Sequence, residues 1–144
     1  MIHYYKFFCT RDNLKGIRNF VEGILRTYNL SDIEVNQVVL AVDEICANLI
    51  IHSHNCNPND VVELSVRNQP EGITFEIVDK GAVPFDLEQY QKPDINSLVQ
   101  ERRKGGMGLM LVNHVMDQVE VNHENGQAVW RLYKSLRPSK DRQP

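Results

Sequence analysis

A chain of 144 residues is long enough for one compact domain with a real core and too short for two comfortable ones. Its 42% apolar and 24% charged residues are the balance of a soluble globular protein, and a net charge of −3 without a dense basic stripe speaks against a nucleic-acid backbone as main partner. No apolar run approaches the roughly 20 residues that cross a bilayer, the opening MIHYYKFFCTRD lacks the pattern of a secretory leader, and Cys9, Cys46 and Cys56 form no CxxC pair; a cytoplasmic, reduced protein free of membrane attachment is expected.

The opening stretch 2–9, IHYYKFFC, is rich in aromatics and predicts a strand. Leu14, Ile17, Val21, Ile24 and Leu25 recur at three-to-four spacing and predict a helix over 13–28. Ser31 with Glu34 three residues on has the spacing of a capping box, which starts a second helix running from about Asp32 to His52. SHNCNPND ends it. The runs 61–68 and 72–79 alternate as strands and join through QPEG as a hairpin. From Gly81 to Gly106 regular patterning is lost, and a connection this long inside a small domain is usually functional or disordered. A helix then opens at GMGLMLVNHVMD, and two final strands, QVEVNHE and QAVWRLYK, meet at the hairpin signal Asn125-Gly126. The tail 137–144 reads as frayed. Antiparallel strand pairs with helices between them predict an α/β sandwich, one sheet with helices on one face.

Three stretches carry chemistry. Glu44, Asn48 and His52 stand four apart on an otherwise apolar helix, so in α-helical geometry they fall within about 80° of one another. Polar groups on a buried helix need partners: an amide oxygen such as that of Asn48 can bind Mg²⁺ beside a phosphate chain, and the Glu44 carboxylate can take a proton from an attacking hydroxyl. Asp79 stands at a strand end in DKG; it reads either as a turn former or as an acceptor for the exocyclic amine of adenine. The third stretch is KGGMGL, Lys104 to Leu109, whose glycines open a helix. Close backbone approach and free N–H groups suit a phosphate there, and by itself the cluster reads equally as a hinge. In HSHNC, His52, His54 and Cys56 lack a fourth ligand at sensible spacing, which argues against zinc. Arg102 and Arg103 read as phosphate contacts, contacts to a partner's acid, or a solvated loop face.

The order E-x-x-x-N on a helix, D-x-G after a strand and G-G-x-G-L opening a helix resembles the GHKL ATPases (gyrase, heat-shock-90, histidine-kinase and MutL type). Within that group LAVDEICANLIIH, DKGAVPFD and KGGMGLMLVNHVMDQVEV are similar to the bacterial anti-sigma factor serine kinases, over roughly residues 5 to 135. The resemblance implies a Bergerat fold: one mixed, mostly antiparallel sheet with helices on one face and an ATP lid, as a single domain over 1–136. It implies Glu44 as general base, Asn48 as Mg²⁺ ligand, Asp79 as the adenine-reading acid and Gly81 as the residue against which the base lies. Gly105, Gly106 and Gly108, with Leu109 closing the motif, would cradle the phosphates of ATP, and His52 would stand near them. Implied too are a sigma factor and an anti-sigma factor antagonist as partners, the latter phosphorylated on serine, and a homodimer. Three departures stand out. Val83 replaces the second glycine of DxGxG, the spacing to PFD is longer by one residue, and GQAVW offers Gln127 and Ala128 where the family often has an adenine-contacting threonine. The alternative is a nucleotide-gated module that binds a partner without transferring phosphate.

Overall fold

The computed structural model describes residues 2–53, 57–80, 108–124 and 126–136. β1 (Ile2–Phe8) is followed by α1 (Asn13–Leu25) and α2 (Asp32–Asn48), which runs straight into a π-helical turn (Leu49–Ser53). The hairpin β2 (Val61–Gln69) and β3 (Gly72–Lys80), the short helix α3 (Gly108–Val115), and the hairpin β4 (Gln118–Glu124) and β5 (Gln127–Ser135) complete the chain order. The five strands form one sheet in the order β1-β2-β3-β5-β4. Among the described residues every pairing is antiparallel, in keeping with the mostly antiparallel sheet expected. Each strand is joined to or laid beside one running the opposite way, so no parallel crossover is needed.

Strand alternation decides which face is covered. Val62, Leu64 and Val66 of β2, Ile73, Phe75 and Ile77 of β3, and Trp130 and Leu132 of β5 are buried and share a face through the register Leu64–Ile77–Trp130 and Val66–Phe75–Leu132. Onto that face α1 lays Ile17, Val21, Ile24 and Leu25, α2 lays Val35, Val38, Val42 and Ile45, and α3 lays Val112 and Val115, forming one core. The opposite face is wetter: there Glu76 accepts from Arg131 Nε at 2.8 Å across β3 and β5. Among the described residues no helix is long and apolar enough to cross a membrane.

Local chemistry sets the helix ends. Ser31, in extended conformation, accepts from the Glu34 N–H at 3.1 Å, while Glu34 Oε1 accepts from the Ser31 N–H at 3.2 Å, the full capping box. α1 stops at Leu25, three residues short of the expected Tyr28. The N–H groups of Thr27 and Tyr28 bond back to Ile24 and Leu25, a tight terminal turn that closes the helix. Two glycines act by different means. Gly126, at φ 75°, adopts the left-handed conformation of the β4–β5 turn. Gly72 is needed for space, since a Cβ there would lie 2.5 Å from the Lys134 carbonyl oxygen and 2.6 Å from the Tyr133 hydroxyl.

Candidate functional site

The inward row of β3 runs Ile73, Phe75, Ile77 and then Asp79, so a carboxylate ends a stripe of core residues. Asp79 is 0% exposed, the one buried charged residue among the described residues. Its register neighbours are Val62 on β2 and Ala128 on β5. A turn former would point to solvent. A carboxylate held inside an apolar row is costly unless donors meet it, which makes it a group built to accept. Of the two residues at the threonine position, Ala128 is the one that faces Asp79, because β5 alternates and the pairing puts Gln127 opposite Lys80.

Glu44 and Asn48 lie one turn apart on α2, both half-buried, and between them Ile45 and Cys46 are sunk in the core. Burial raises the proton affinity of Glu44, and the neighbouring Asp43 carboxylate raises it further. A carboxylate with raised proton affinity is a better base than one free in water. Asp43 is itself pushed up by burial, an effect opposed by Arg18 of α1, whose Nη1 donates to Asp43 Oδ1 at 3.2 Å. The helix thus carries two adjacent acids, one engaged by an arginine and one turned to a different use. Burial also pushes up the Cys46 thiol, which fits a small core residue rather than a nucleophile.

Directly after Asn48 the helix widens into the π turn Leu49–Ser53, a correction to the expected continuous α-helix ending at His52. The turn drives Leu49 and Ile50 into the core. The side chain of His52 is outside the described residues, as are Gly81, Gly105 and Gly106. Gly108 is the first residue of α3 and Leu109 the second, and the first turn of α3 holds no acidic side chain. Those leading N–H groups have no intrahelical partner and carry the positive end of the helix dipole. α3 packs on α2, so the opening of one helix and the Glu44–Asn48 segment of the other belong to the same layer.

The Arg18–Asp43 pair was not legible in the sequence, since the residues stand far apart and neither belongs to a motif. The acid-acid doublet Asp43-Glu44 was the only local sign that one carboxylate needed a partner. A buried acceptor at a strand end, a carboxylate and an amide one turn apart on α2, and a glycine-opened helix packed on α2 are groups of the kind a nucleoside triphosphate needs.

Residues 9–134 match the family described as histidine kinase-like ATPase domain. The chain belongs to that family. This histidine kinase-like ATPase domain is 30% identical over 110 residues to the anti-sigma F factor of Pasteuria penetrans, covering 75% of this chain and 73% of the relative. To the serine-protein kinase RsbW of Halalkalibacterium halodurans it is 25% identical over 114 residues, 76% of this chain and 68% of the relative. Among solved structures, the RsbU and RsbW domains of a Mycobacterium tuberculosis protein superpose with a TM-score of 0.63 at 13% identity, covering 96% of this chain and 33% of that one. The SiaB-SiaC complex of Pseudomonas aeruginosa gives 0.61 at 15% identity, covering 93% and 89%. At such identities the two structures speak for the fold alone.

Proposed function

We propose that this domain is an ATP-dependent protein-serine kinase that also holds a sigma factor inactive by binding it, its phosphoacceptor being an anti-sigma factor antagonist. The observation that carries the reading is Glu44: a half-buried carboxylate of raised proton affinity, one helical turn before Asn48. Glu44 takes the proton of the attacking serine hydroxyl while the serine oxygen bonds to the γ-phosphorus and the bond to ADP breaks. Asn48 would offer an amide oxygen to Mg²⁺, which when bound would supply charge neutralisation beside the phosphates. Asp79, buried among core residues, accepts from the exocyclic amine of adenine. The N–H groups that begin α3 at Gly108 receive phosphate oxygens, with Leu109, Gly105 and Gly106 completing the cradle and His52 near it, while the adenine base lies against Gly81. The names of the two relatives, an anti-sigma F factor and a serine-protein kinase, support both halves of the role. Residues 1–136 act as one unit, in the cytoplasm.

Ala128 beside Asp79 favours a second reading, a module whose partner affinity is set by nucleotide without turnover, because a polar contact to the base is missing. Calorimetric titration of ATP with and without Mg²⁺ into wild type and Asn48→Ala tests the site; metal-dependent heat lost in the variant is expected, and no heat in wild type overturns the reading. Transfer of labelled phosphate to an antagonist protein of the same genome, abolished by Glu44→Gln while ATP still binds, separates the kinase from the module.

A further inference from the structure

The row of the sheet that holds Asp79 is hydrocarbon on either side of the carboxylate. Val62 on β2 and Ala128 on β5 are its register neighbours, 0% and 1% exposed. The next side chain along the row, His123 on β4, stands a strand beyond Ala128. The polar residue of that stretch, Gln127, belongs to the opposite face, across from Lys80. A slip of one residue would bring Gln127 round to Asp79, but it would also turn Trp130 and Leu132 out of the core, so the register is held. The two sheet positions beside Asp79 thus offer neither a hydroxyl nor an amide.

Hydrogen-bond polarity decides which base this favours. An ionised carboxylate only accepts. The Watson–Crick edge of adenine offers it one donor, the 6-amine, beside the lone pair of N1, and a lone pair set against an acceptor is left unsatisfied unless a donor stands between them. The same edge of guanine offers two donors side by side, N1–H and the 2-amine, which match the two oxygens of a carboxylate as a parallel pair. A hydroxyl at position 128 would supply the donor that adenine lacks and would take up space beside the carboxylate. Alanine does neither. We propose that Ala128 leaves the site open to guanine, so that it takes ATP and GTP both, with Asp79 as the shared acceptor and residue 128 as the position that sets the choice between them. Adenine meets Asp79 through its 6-amine, and guanine through N1–H and its 2-amine. Specificity is a difference between two affinities, and the missing hydroxyl lowers the one for ATP without lowering the one for GTP. This inference rests on the nucleotide reading of the site and is independent of phosphotransfer.

Calorimetric titration of the full chain with ATP, GTP and ITP, each with Mg²⁺, tests the proposal. ATP and GTP should bind within about tenfold of each other. ITP keeps N1–H but has no 2-amine, and should bind about tenfold or more weaker than GTP. Ala128→Thr should tighten ATP and weaken GTP, moving their ratio about tenfold towards ATP. Circular dichroism checks its folding, and should it fail to fold, Ala128→Ser supplies the same hydroxyl in less volume. GTP binding more than about tenfold weaker than ATP in wild type, ITP binding as tightly as GTP, or a ratio unmoved by the hydroxyl would each overturn the proposal while ATP binding upholds the nucleotide site. No heat with any of the three would overturn both.

Discussion

Removing either member of the Arg18–Asp43 pair deletes the same contact, yet the two changes should differ in cost. Exposed ion pairs are worth about 0.2–1 kcal/mol, whereas stranding a fully buried charge costs about 3–5 kcal/mol. The Asp43 side chain is 15% exposed and that of Arg18 41%, so the pair lies between these limits and is partly screened. Arg18→Gln should therefore cost about 1–2 kcal/mol, because it leaves a largely buried carboxylate beside Glu44 without its cation. Asp43→Asn removes the contact together with the burial penalty of the charge, and should fall within about 1 kcal/mol of wild type. The pH dependence supplies an independent handle. Asp43 has its proton affinity raised in the folded state, so the folded chain binds the proton more tightly than the unfolded one. Stability is then greatest below the ordinary carboxylate range and falls as pH rises from that range to the raised value. Without Arg18 the value climbs further and the window widens, so the Arg18→Gln deficit should shrink on going from about pH 7.5 to about pH 4.5, near the unperturbed carboxylate range. Asp43→Asn should flatten the profile. Urea unfolding of the three proteins at both pH values measures this. Equal losses in the two variants at the higher pH, or a pH-independent Arg18→Gln deficit, would refute the reasoning.

Asp79→Asn keeps the shape of the site and turns part of an acceptor into a donor; ATP affinity by calorimetry should drop about 10- to 100-fold. Gly72→Ala and Gly126→Ala should separate the two uses of glycine. At Gly126 only the positive φ opposes a side chain and about 1 kcal/mol is lost. At Gly72 the added Cβ meets backbone at 2.5 Å, so β5 must shift and about 1–3 kcal/mol is expected. Chemical denaturation of both variants decides, and a milder effect at Gly72 would show that the hairpin yields more easily than the packing implies.

Much of the architecture was written in short-range patterns. The capping box at Ser31 and Glu34, the three-to-four spacing of Ile17, Val21 and Ile24, the alternation of β2 and β3 and the Asn-Gly turn depend on residues within a few positions of one another. Such signals survive without knowledge of the rest of the chain. Expectation and structure part at two helix ends. α1 ends at Leu25 because its terminal carbonyls close on Thr27 and Tyr28. α2 gives way to a π turn after Asn48 as Leu49 and Ile50 are drawn into the core, where a continuous α-helix to His52 was expected.

The candidate site divides the same way. Glu44, Asn48, Asp79 and Gly108 were legible as residue types at fixed intervals, since a base, an amide and a helix opening must each be encoded locally. That Asp79 is wholly buried, that Ala128 rather than Gln127 stands beside it, and that Asp43 is engaged by Arg18 while Glu44 is not, all follow from strand register and helix packing. Local interactions choose the element and the chemical group, because their energies depend on neighbours a few bonds away. Burial, pairing and proton affinity depend on which surfaces the folded chain brings together, and those were settled by tertiary structure alone.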